Sequence, residues 1–290
     1  MELVVGATGV VGKQIALKLR QQGRAVRAMV RGGASRAEAK PLLDAGIEIV
    51  EGDVTRPETL PPACAGTENL HCTVTSMPHG RDDGLRRVDL EGTMALIGAA
   101  EVAGVKKFIY VSFSGNIQED SLLTTAKRSC ENRLLASTMS AVILRPSYFM
   151  EAWLSPHLGF DVGNGKARIF GSGQGRVNYI SALNVVDYAA AVASQTGVGN
   201  TVIEMGGPEA LSQLDAVRIF EQVLGKEFAL EYVPMKTLEQ QHQSDDPLQK
   251  AFAALMIAYA KGDEIPASRA NAEHYGIKLR SVAEHAQTFR

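Results

Sequence analysis

Three glycines lie close together near the start of the sequence, where a short apolar run gives way to a helical pattern. Gly6, Gly9 and Gly12 follow residues 3–5 with a Gly-x-x-Gly-x-x-Gly spacing. Between a strand and a helix, such glycines allow a tight turn, a close approach of the backbone to a pyrophosphate, and close packing of helix on strand. The helix N-terminus adds unpaired N–H groups and partial positive charge. This pattern predicts a nucleotide site, and an ordinary βα turn is the alternative.

A basic residue follows the second predicted strand, residues 25–30. In a site that selects NAD, an acidic residue at this place binds the 2′-hydroxyl of the ribose. This sequence instead has Arg31, with Arg36 and Lys40 behind it. A guanidinium can bind a 2′-phosphate through two hydrogen bonds. The pattern therefore favours NADP(H) over NAD(H), and a solvated basic loop is the alternative.

Polar side chains also follow the later predicted strands. Asp53 comes after the third strand, where it is expected beside the adenine. Thr75 and Ser76 follow the fourth strand, and Ser112 and Ser114 follow the fifth. Open α/β sheets bind their ligands at the carboxyl ends of the strands, so these side chains are expected to line the cofactor. Serines in βα loops also serve as helix caps, which is the alternative for the last pair.

Two further pairs of residues have the chemistry of a site. Tyr148 and Phe149 follow the sixth predicted strand and would present an aromatic face to a flat quinone or aromatic substrate. An aromatic pair in the core is an equally open interpretation. Lys127 and Glu131 are four residues apart in a predicted helix. On a helix surface such a pair is an ion pair worth a few tenths of a kcal/mol, and a role of Lys127 in the site is the other interpretation.

Alternating strands and helices must position these residues. Strands are predicted at 3–5, 25–30, 47–50, 69–74, 108–111 and 141–144, with helices at 13–20, 92–102 and 124–137 between them. This rhythm predicts an α/β fold, a doubly wound parallel sheet of the NAD(P)-binding Rossmann type. The expected domains are a Rossmann domain at 1–150 and a smaller, mostly helical substrate or lid lobe at 151–290, with 180–206 returning to the Rossmann domain.

Two connecting segments are predicted from composition. The polar segment 78–89 is expected to be an exposed loop, and the glycine-rich segment 159–175 is expected to form loops and one hairpin. After residue 150, strands are expected at 201–205 and 228–233, and helices at 184–194, 214–224 and 248–261.

Composition restricts the function and the compartment. A net charge of −2 over 290 residues argues against direct nucleic-acid binding or a membrane-surface role. Cys64, Cys72 and Cys130 lack metal-ligand spacing, so we expect inert thiols in a reducing cytoplasm and no metal site. No apolar stretch reaches about 18 residues. The first strand starts too early for a signal peptide, so we expect a cytoplasmic protein without a membrane span.

The ordered motifs resemble those of short-chain dehydrogenases/reductases and, more narrowly, of the NmrA-like atypical group. The resemblance covers nearly the whole chain and rests on motifs at 6–12, 30–31, 51–54, 103–112, 144–150 and 206–212. The dinucleotide site expected on this basis comprises Gly6, Thr8, Gly9, Val10, Val11, Gly12, Arg31, Asp53, Val54, Thr75, Ser76, Ser112 and Lys127.

The chain departs from the standard dehydrogenases in its catalytic helix. The resemblance implies a Tyr-x-x-x-Lys pair there, with the tyrosine as general acid, but Leu123 precedes Lys127 and residues 111–147 contain no tyrosine. Lys127 with Glu131 instead fits the Lys-x-x-x-Glu pattern of NmrA-like reductases, whose lysine reaches the nicotinamide ribose or the substrate. Ser114 is the better match to the dehydrogenase serine.

These observations leave Lys127, Ser114 and Tyr148 as the candidate catalytic residues, with Tyr148 and Phe149 against the substrate. The expected function is an NADPH-dependent reductase that transfers hydride to a small electron-poor acceptor such as a quinone, which needs orientation more than a dedicated acid. A regulator that senses NADP(H) and binds a protein partner is the alternative. A nucleotide-sugar epimerase or dehydratase conflicts with Leu123. A homodimer stays open in either case.

Overall fold

A computed structural model describes residues 1–77, 83–195, 197 and 199–290 of the chain. They form two compact units. The first comprises Met1–Ser112, Thr125–Leu144 and Val186–Ile203, and the second comprises Phe113–Thr124, Arg145–Val185 and Glu204–Arg290. Among the helices of these described ranges, none has the length and apolar character needed to cross a membrane.

The strands, in chain order, are β1 (Glu2–Val5), β2 (Val26–Val30), β3 (Glu48–Glu51), β4 (Asn69–Cys72), β5 (Lys107–Val111), β6 (Ser140–Pro146), β7 (Phe160–Asp161), β8 (Lys166–Phe170), β9 (Arg176–Val177), β10 (Thr201–Met205), β11 (Leu211–Ser212) and β12 (Ala229–Val233). The α-helices are α1 (Val10–Gln21), α2 (Lys40–Asp44), α3 (Leu60–Cys64), α4 (Thr93–Val102), α5 (Leu122–Leu135), α6 (Met150–Trp153), α7 (Ala182–Ser194), α8 (Gln213–Leu224), α9 (Met235–His242), α10 (Pro247–Lys261), α11 (Ser268–His274) and α12 (Val282–Gln287).

The seven-stranded sheet has the order β10-β6-β5-β4-β1-β2-β3, and its pairings from β3 through to β6 are parallel. This confirms the predicted doubly wound α/β fold. The chain runs outward from β1 to β3 and then crosses to β4 on the other side of β1. Open sheets bind their ligands at such a switch point, so the carboxyl ends of β1 and β4 are the place to look for a site.

The strands at the switch point are buried on both faces, as a parallel sheet between helices requires. Every residue of β1 and of β4 is buried. Alternate residues of β1, β4 and β5 pack in one apolar cluster of the first unit, and these include Leu3, Val5, Leu70, Cys72, Phe108 and Tyr110. This packing gives the site a rigid base.

The second unit combines small sheets with helices. β8 pairs in antiparallel fashion with β7 and in parallel with β12, and β9 pairs with β11. The β7–β8 pair confirms the hairpin predicted in the glycine-rich segment. Phe160, Phe220 and Phe228 pack edge to face or tilted in the core of this unit, with ring centroids 4.8 to 6.4 Å apart.

The prediction of an exposed loop at 78–89 is wrong for the last residues of that segment. Leu85–Gly92 forms a π-helical segment that continues into α4, and Leu85 and Asp89 on it are buried. The reason is tertiary, because Asp89 lies under the polar loop that follows β4 and binds it. Residues 78–82, on which the rest of that prediction falls, lie outside the described residues.

Candidate functional site

The glycine turn has the geometry that its spacing predicted. Gly6 has a φ of 87°, and the N–H of Gly9 donates to its carbonyl oxygen at 3.0 Å. A Cβ on Gly12 would lie 2.3 Å from that same oxygen, whereas a Cβ on Gly9 would lie 3.3 Å from it. Gly12 therefore allows the helix to pack directly on the turn, and Gly9 lies on the open side.

The first turn of α1 is uncapped. Gly9 occupies the N-cap position without a side-chain hydrogen bond, and the first turn contains no acidic residue. Thr8, Gly9 and Val10 are exposed, Val10 by 74%, and Val11 is half-buried. Because the first N–H groups of a helix have no partner within the helix, this exposed end suits an anion such as a phosphate.

Thr73 supports the turn from behind, and the sequence-based prediction missed it. Its N–H and its hydroxyl both donate to the carbonyl oxygen of Val5, at 3.0 and 3.2 Å. A Cβ on Gly6 would lie 2.5 Å from Thr73 Oγ1, so the threonine also fixes the space beside that glycine. Identifying it requires knowing that β4 lies next to β1, which the sequence alone does not reveal.

Arg31 lies directly after β2, with an exposed side chain. The two other basic residues that were predicted behind Arg31 are paired: Arg36 with Glu38 at 3.1 Å, and Lys40 with Asp44 at 2.9 Å. Within the described ranges no hydrogen bond or ion pair holds the guanidinium of Arg31. Arg31 is therefore available to a phosphate, as the predicted NADP(H) preference requires.

The loop after β3 is held by Asp53. Its Oδ1 accepts hydrogen bonds from the backbone N–H and the hydroxyl of Thr55, at 2.9 and 2.8 Å. Its own N–H donates to Thr59 Oγ1 at 3.0 Å, and Val54 beside it is buried. The structure thus gives Asp53 a local role in shaping this loop, and the predicted contact with adenine stays a prediction.

The loop after β4 is tied to a buried carboxylate. Ser76 donates from its N–H and its hydroxyl to Asp89 Oδ2, at 2.9 and 2.6 Å. Asp89 is fully buried, and its Oδ1 has no hydrogen-bond partner in the described part of the chain. Thr75 is exposed, and its hydroxyl accepts from the N–H of Met77 at 3.2 Å. Of the two predicted residues, Thr75 therefore has the more accessible hydroxyl.

Lys127 is a buried cation at the carboxyl end of β5. The residue belongs to α5 and is only 5% exposed. Nζ donates to the carbonyl oxygen of Val111 at 3.4 Å and lies 5.1 Å from the ring centroid of Tyr110. Within the described residues it forms no ion pair with a carboxylate. A buried charge without a counter-charge is costly, which makes Lys127 a candidate for ligand binding.

Glu131 has other partners than Lys127. Its Oε1 accepts from the hydroxyl of Ser112 at 2.5 Å and from Arg128 Nη1 at 2.7 Å. Among the described residues, the surface ion pair that the spacing of Lys127 and Glu131 allowed is not formed. The donor capacity of the Ser112 hydroxyl is used by this carboxylate, and the oxygen can still accept a hydrogen bond.

Ser114 lies inside the second unit. It is fully buried, and its hydroxyl donates to Asp263 Oδ1 at 2.6 Å. Asn116 donates to the same oxygen at 2.8 Å and, from its N–H, to Ser114 Oγ at 3.2 Å. This network fixes the segment that follows β5, and the catalytic role expected of Ser114 stays a prediction.

Tyr148 lies among aromatic rings in the core of the second unit. It is 3% exposed, its hydroxyl donates to the carbonyl oxygen of Leu255 at 3.1 Å, and its ring lies 4.6 Å from Trp153 and 5.0 Å from Tyr259. Burial, with a smaller contribution from the charge of Asp263, raises the pKa of Tyr148 well above its ordinary value. This environment matches the core alternative, whereas the neighbouring Phe149 is half-buried. Their predicted contacts with substrate stay predictions.

The cysteines are all buried in the first unit. Burial raises the pKa of Cys64 and of Cys72 to about 11 and that of Cys130 to about 12, while the charge of Lys127 acts in the opposite direction on the last two.

Comparison with known proteins gives a family and a fold. The model of the NmrA-like family matches residues 3–280. The photosystem II assembly factor Ycf39 of Trieres chinensis is 27% identical over 239 residues, 82% of this chain and 73% of that protein. The NAD(P)H azoreductase of Xenophilus azovorans is 28% identical over 247 residues, 84% of this chain and 80% of that protein.

The solved structures that resemble the chain include the NADPH complex of the quinone oxidoreductase QOR2 from Escherichia coli. It superposes with a TM-score of 0.81 at 21% identity, covering 100% of this chain and 99% of that one. At this identity the similarity establishes a common fold.

Proposed function

We propose that this chain, which belongs to the NmrA-like family, is an NADPH-dependent reductase that transfers hydride to a small electron-poor acceptor such as a quinone. The observation that carries the proposal is Lys127. It is a cation of 5% exposure, without a carboxylate partner in the described ranges, at the end of a strand next to the switch point. Ligands of open α/β sheets bind at this edge.

The residues on this edge of the sheet fit the phosphate groups of NADP(H). The uncapped end of α1 and the open side of Gly9 suit the pyrophosphate, and the unpaired guanidinium of Arg31 suits a 2′-phosphate. Thr75 and Ser112 would line the cofactor towards its nicotinamide end. NADP(H) is therefore favoured over NAD(H). When bound, the cofactor supplies the hydride.

Lys127 would orient the cofactor or the substrate, and its positive charge would stabilise negative charge that develops in the reaction. Its ammonium can donate hydrogen bonds to the nicotinamide ribose or to the substrate and places positive charge near a developing oxyanion. Because residues 111–147 contain no tyrosine, a general acid in the usual place is missing. An electron-poor acceptor suits this arrangement, since a quinone that receives a hydride can take its proton from solvent. The names of the azoreductase and quinone oxidoreductase relatives support such acceptors.

A second function is supported by a different relative. The Trieres chinensis protein is named an assembly factor, and the missing tyrosine fits a protein that binds the dinucleotide without consuming it. In that case the chain would be an NADP(H)-sensing regulator with a protein partner.

Two measurements on the purified full chain separate these functions. Calorimetric titration gives the affinities for NADPH and NADH, and the absorbance of NADPH follows its oxidation with a panel of quinones and azo dyes. Acceptor-dependent oxidation supports the reductase. Tight binding of NADPH without oxidation by any acceptor favours the regulator, and failure to bind either dinucleotide overturns both.

A further inference from the structure

Tyr110 lies beneath the charged end of Lys127. It is a residue of β5 with no exposed surface, and Lys127 Nζ lies over its ring, 5.1 Å from the centroid. An ammonium within about 6 Å of an aromatic centroid is attracted by the negative face of the ring, and the attraction is strongest where water is excluded. The position of Lys127 meets both conditions.

Other contacts to this ammonium are weak among the residues that the structure describes. There Nζ forms a single hydrogen bond, to the carbonyl oxygen of Val111, which is long at 3.4 Å, and Glu131 binds Ser112 and Arg128. A buried charge needs compensation, and the face of the Tyr110 ring, whose centroid lies 5.1 Å from the ammonium, offers it beside the long hydrogen bond to Val111.

The ring contributes through its face and not through its hydroxyl. The Tyr110 hydroxyl is buried without a hydrogen-bond partner in the part of the chain that is described. Burial raises the pKa of this phenol well above its ordinary value, so the group is neutral. Phenylalanine at this position would preserve the aromatic face.

We propose that Tyr110 is the positioning residue for Lys127, whose ammonium it holds at the carboxyl end of β5 for contact with the cofactor or substrate. The proposal rests on the proposed function for the chemistry of Lys127, but the placement of the ammonium can be tested without turnover.

The chain offers a conservative variant and a matched control. Tyr110→Phe keeps the ring face, and Tyr110→Leu removes it. Phe108→Leu also removes an aromatic ring, two residues earlier in the same strand and in the same apolar cluster. Each folded variant is examined by NMR of 13C-labelled lysine, in which the Lys127 side-chain protons are shifted upfield by an aromatic ring beneath them. Reductase rates and NADPH affinity are then measured on the same samples.

We expect the upfield shift in the parent, in Tyr110→Phe and in Phe108→Leu, and its loss in Tyr110→Leu. The reductase rate of Tyr110→Leu should fall about tenfold, with the other two variants within about twofold of the parent. The proposal is overturned if the parent lacks the shift, if Tyr110→Phe behaves like Tyr110→Leu, or if both leucine variants lose activity equally. If the parent has no turnover, the proposed function fails, and the shift together with NADPH affinity still decides the role of Tyr110.

Discussion

The hydroxyl of Ser112 donates a hydrogen bond to Glu131 over 2.5 Å, and both residues are buried. Arg128 binds the same carboxylate oxygen at 2.7 Å. Glu131 thus organises the start of the loop after β5. Lys127, one helical turn earlier, is directed to the edge of the sheet, where its ammonium contacts the carbonyl oxygen of Val111 and the ring of Tyr110.

The first prediction concerns Lys127. Lys127→Met keeps most of the apolar stem and removes the charge and its donors. Turnover should fall by about 10²-fold, the loss typical of one preorganised donor, while NADPH affinity falls less because the phosphates are bound elsewhere. Steady-state kinetics with a quinone acceptor test this. The exposed Lys106→Met is the control and should be silent; parental rates in Lys127→Met would remove the lysine from the mechanism.

Cofactor choice should depend on Arg31. Losing one charge-assisted hydrogen bond costs about 1.5–3 kcal/mol, so Arg31→Ala should weaken NADPH binding by roughly one to two decades. NADH lacks the 2′-phosphate and should bind as before. Arg36→Ala is the matched control because its guanidinium is already paired with Glu38. Equal losses for NADPH and NADH in a calorimetric titration would contradict the assignment.

Gly9 should tolerate a side chain in the free protein but not in the complex. Among the described residues, a Cβ there would meet the Gly6 oxygen alone, at 3.3 Å. Gly9→Val should therefore stay folded by far-ultraviolet circular dichroism, while its branched carbons block the approach of a pyrophosphate. Binding of NADPH should be lost. Normal affinity in this variant would mean that the turn is structural only.

A side chain on Gly12 should affect folding itself. A Cβ at this position would lie 2.3 Å from a backbone oxygen, so the helix or the turn must move. We expect Gly12→Ala to lower the free energy of unfolding by about 1–3 kcal/mol in urea titrations. Gly98→Ala, in α4 with no heavy atom of another described residue within 4 Å of the new carbon, should instead be neutral or stabilising by up to about 1 kcal/mol. Equal effects of the two substitutions would contradict this packing argument.

Acid stability should depend on Glu2. Burial tends to raise its pKa, but the hydrogen bond and charge of His71, helped by Asn69 and Arg24, hold the pKa below the ordinary value of 4.5. A lowered carboxyl pKa stabilises the fold above the unfolded-state pKa, and this contribution is lost as pH falls through the folded-state pKa. Glu2→Gln should therefore reduce the slope with which the free energy of unfolding falls at acid pH. Denaturant titrations at a series of pH values measure this slope. The exposed Glu58→Gln is the control and should keep the parental slope.

Much of the fold could be predicted from local patterns. Buried parallel strands need continuous apolar runs, and these runs, separated by helical periods, predicted the sheet that is confirmed here. The segment Leu85–Gly92 could not be predicted in this way. A π-helix lacks the ordinary helical period, and the buried Asp89 on it binds Ser76 in the loop after β4, a tertiary contact that local patterns do not reveal.

The candidate site was predictable where a residue type is required by backbone geometry. Gly6 and Gly12 are examples, because no side chain fits where they lie. Thr73 and Tyr110 were missed because their roles depend on which strands and helices are neighbours. The partner of Lys127 was ambiguous for a related reason, since a spacing of four residues does not reveal which side chain turns towards the sheet.

The three buried cysteines can be used to measure how often the first unit opens. Cys64, Cys72 and Cys130 are the whole thiol content of the chain, and all three lie in this unit. With pKa values of about 11 to 12, these cysteines contain little thiolate at neutral pH. An alkylating reagent therefore reacts with them only after the unit opens locally. The rate of alkylation therefore follows the local opening of the first unit alone, because the other unit contains no thiol to react.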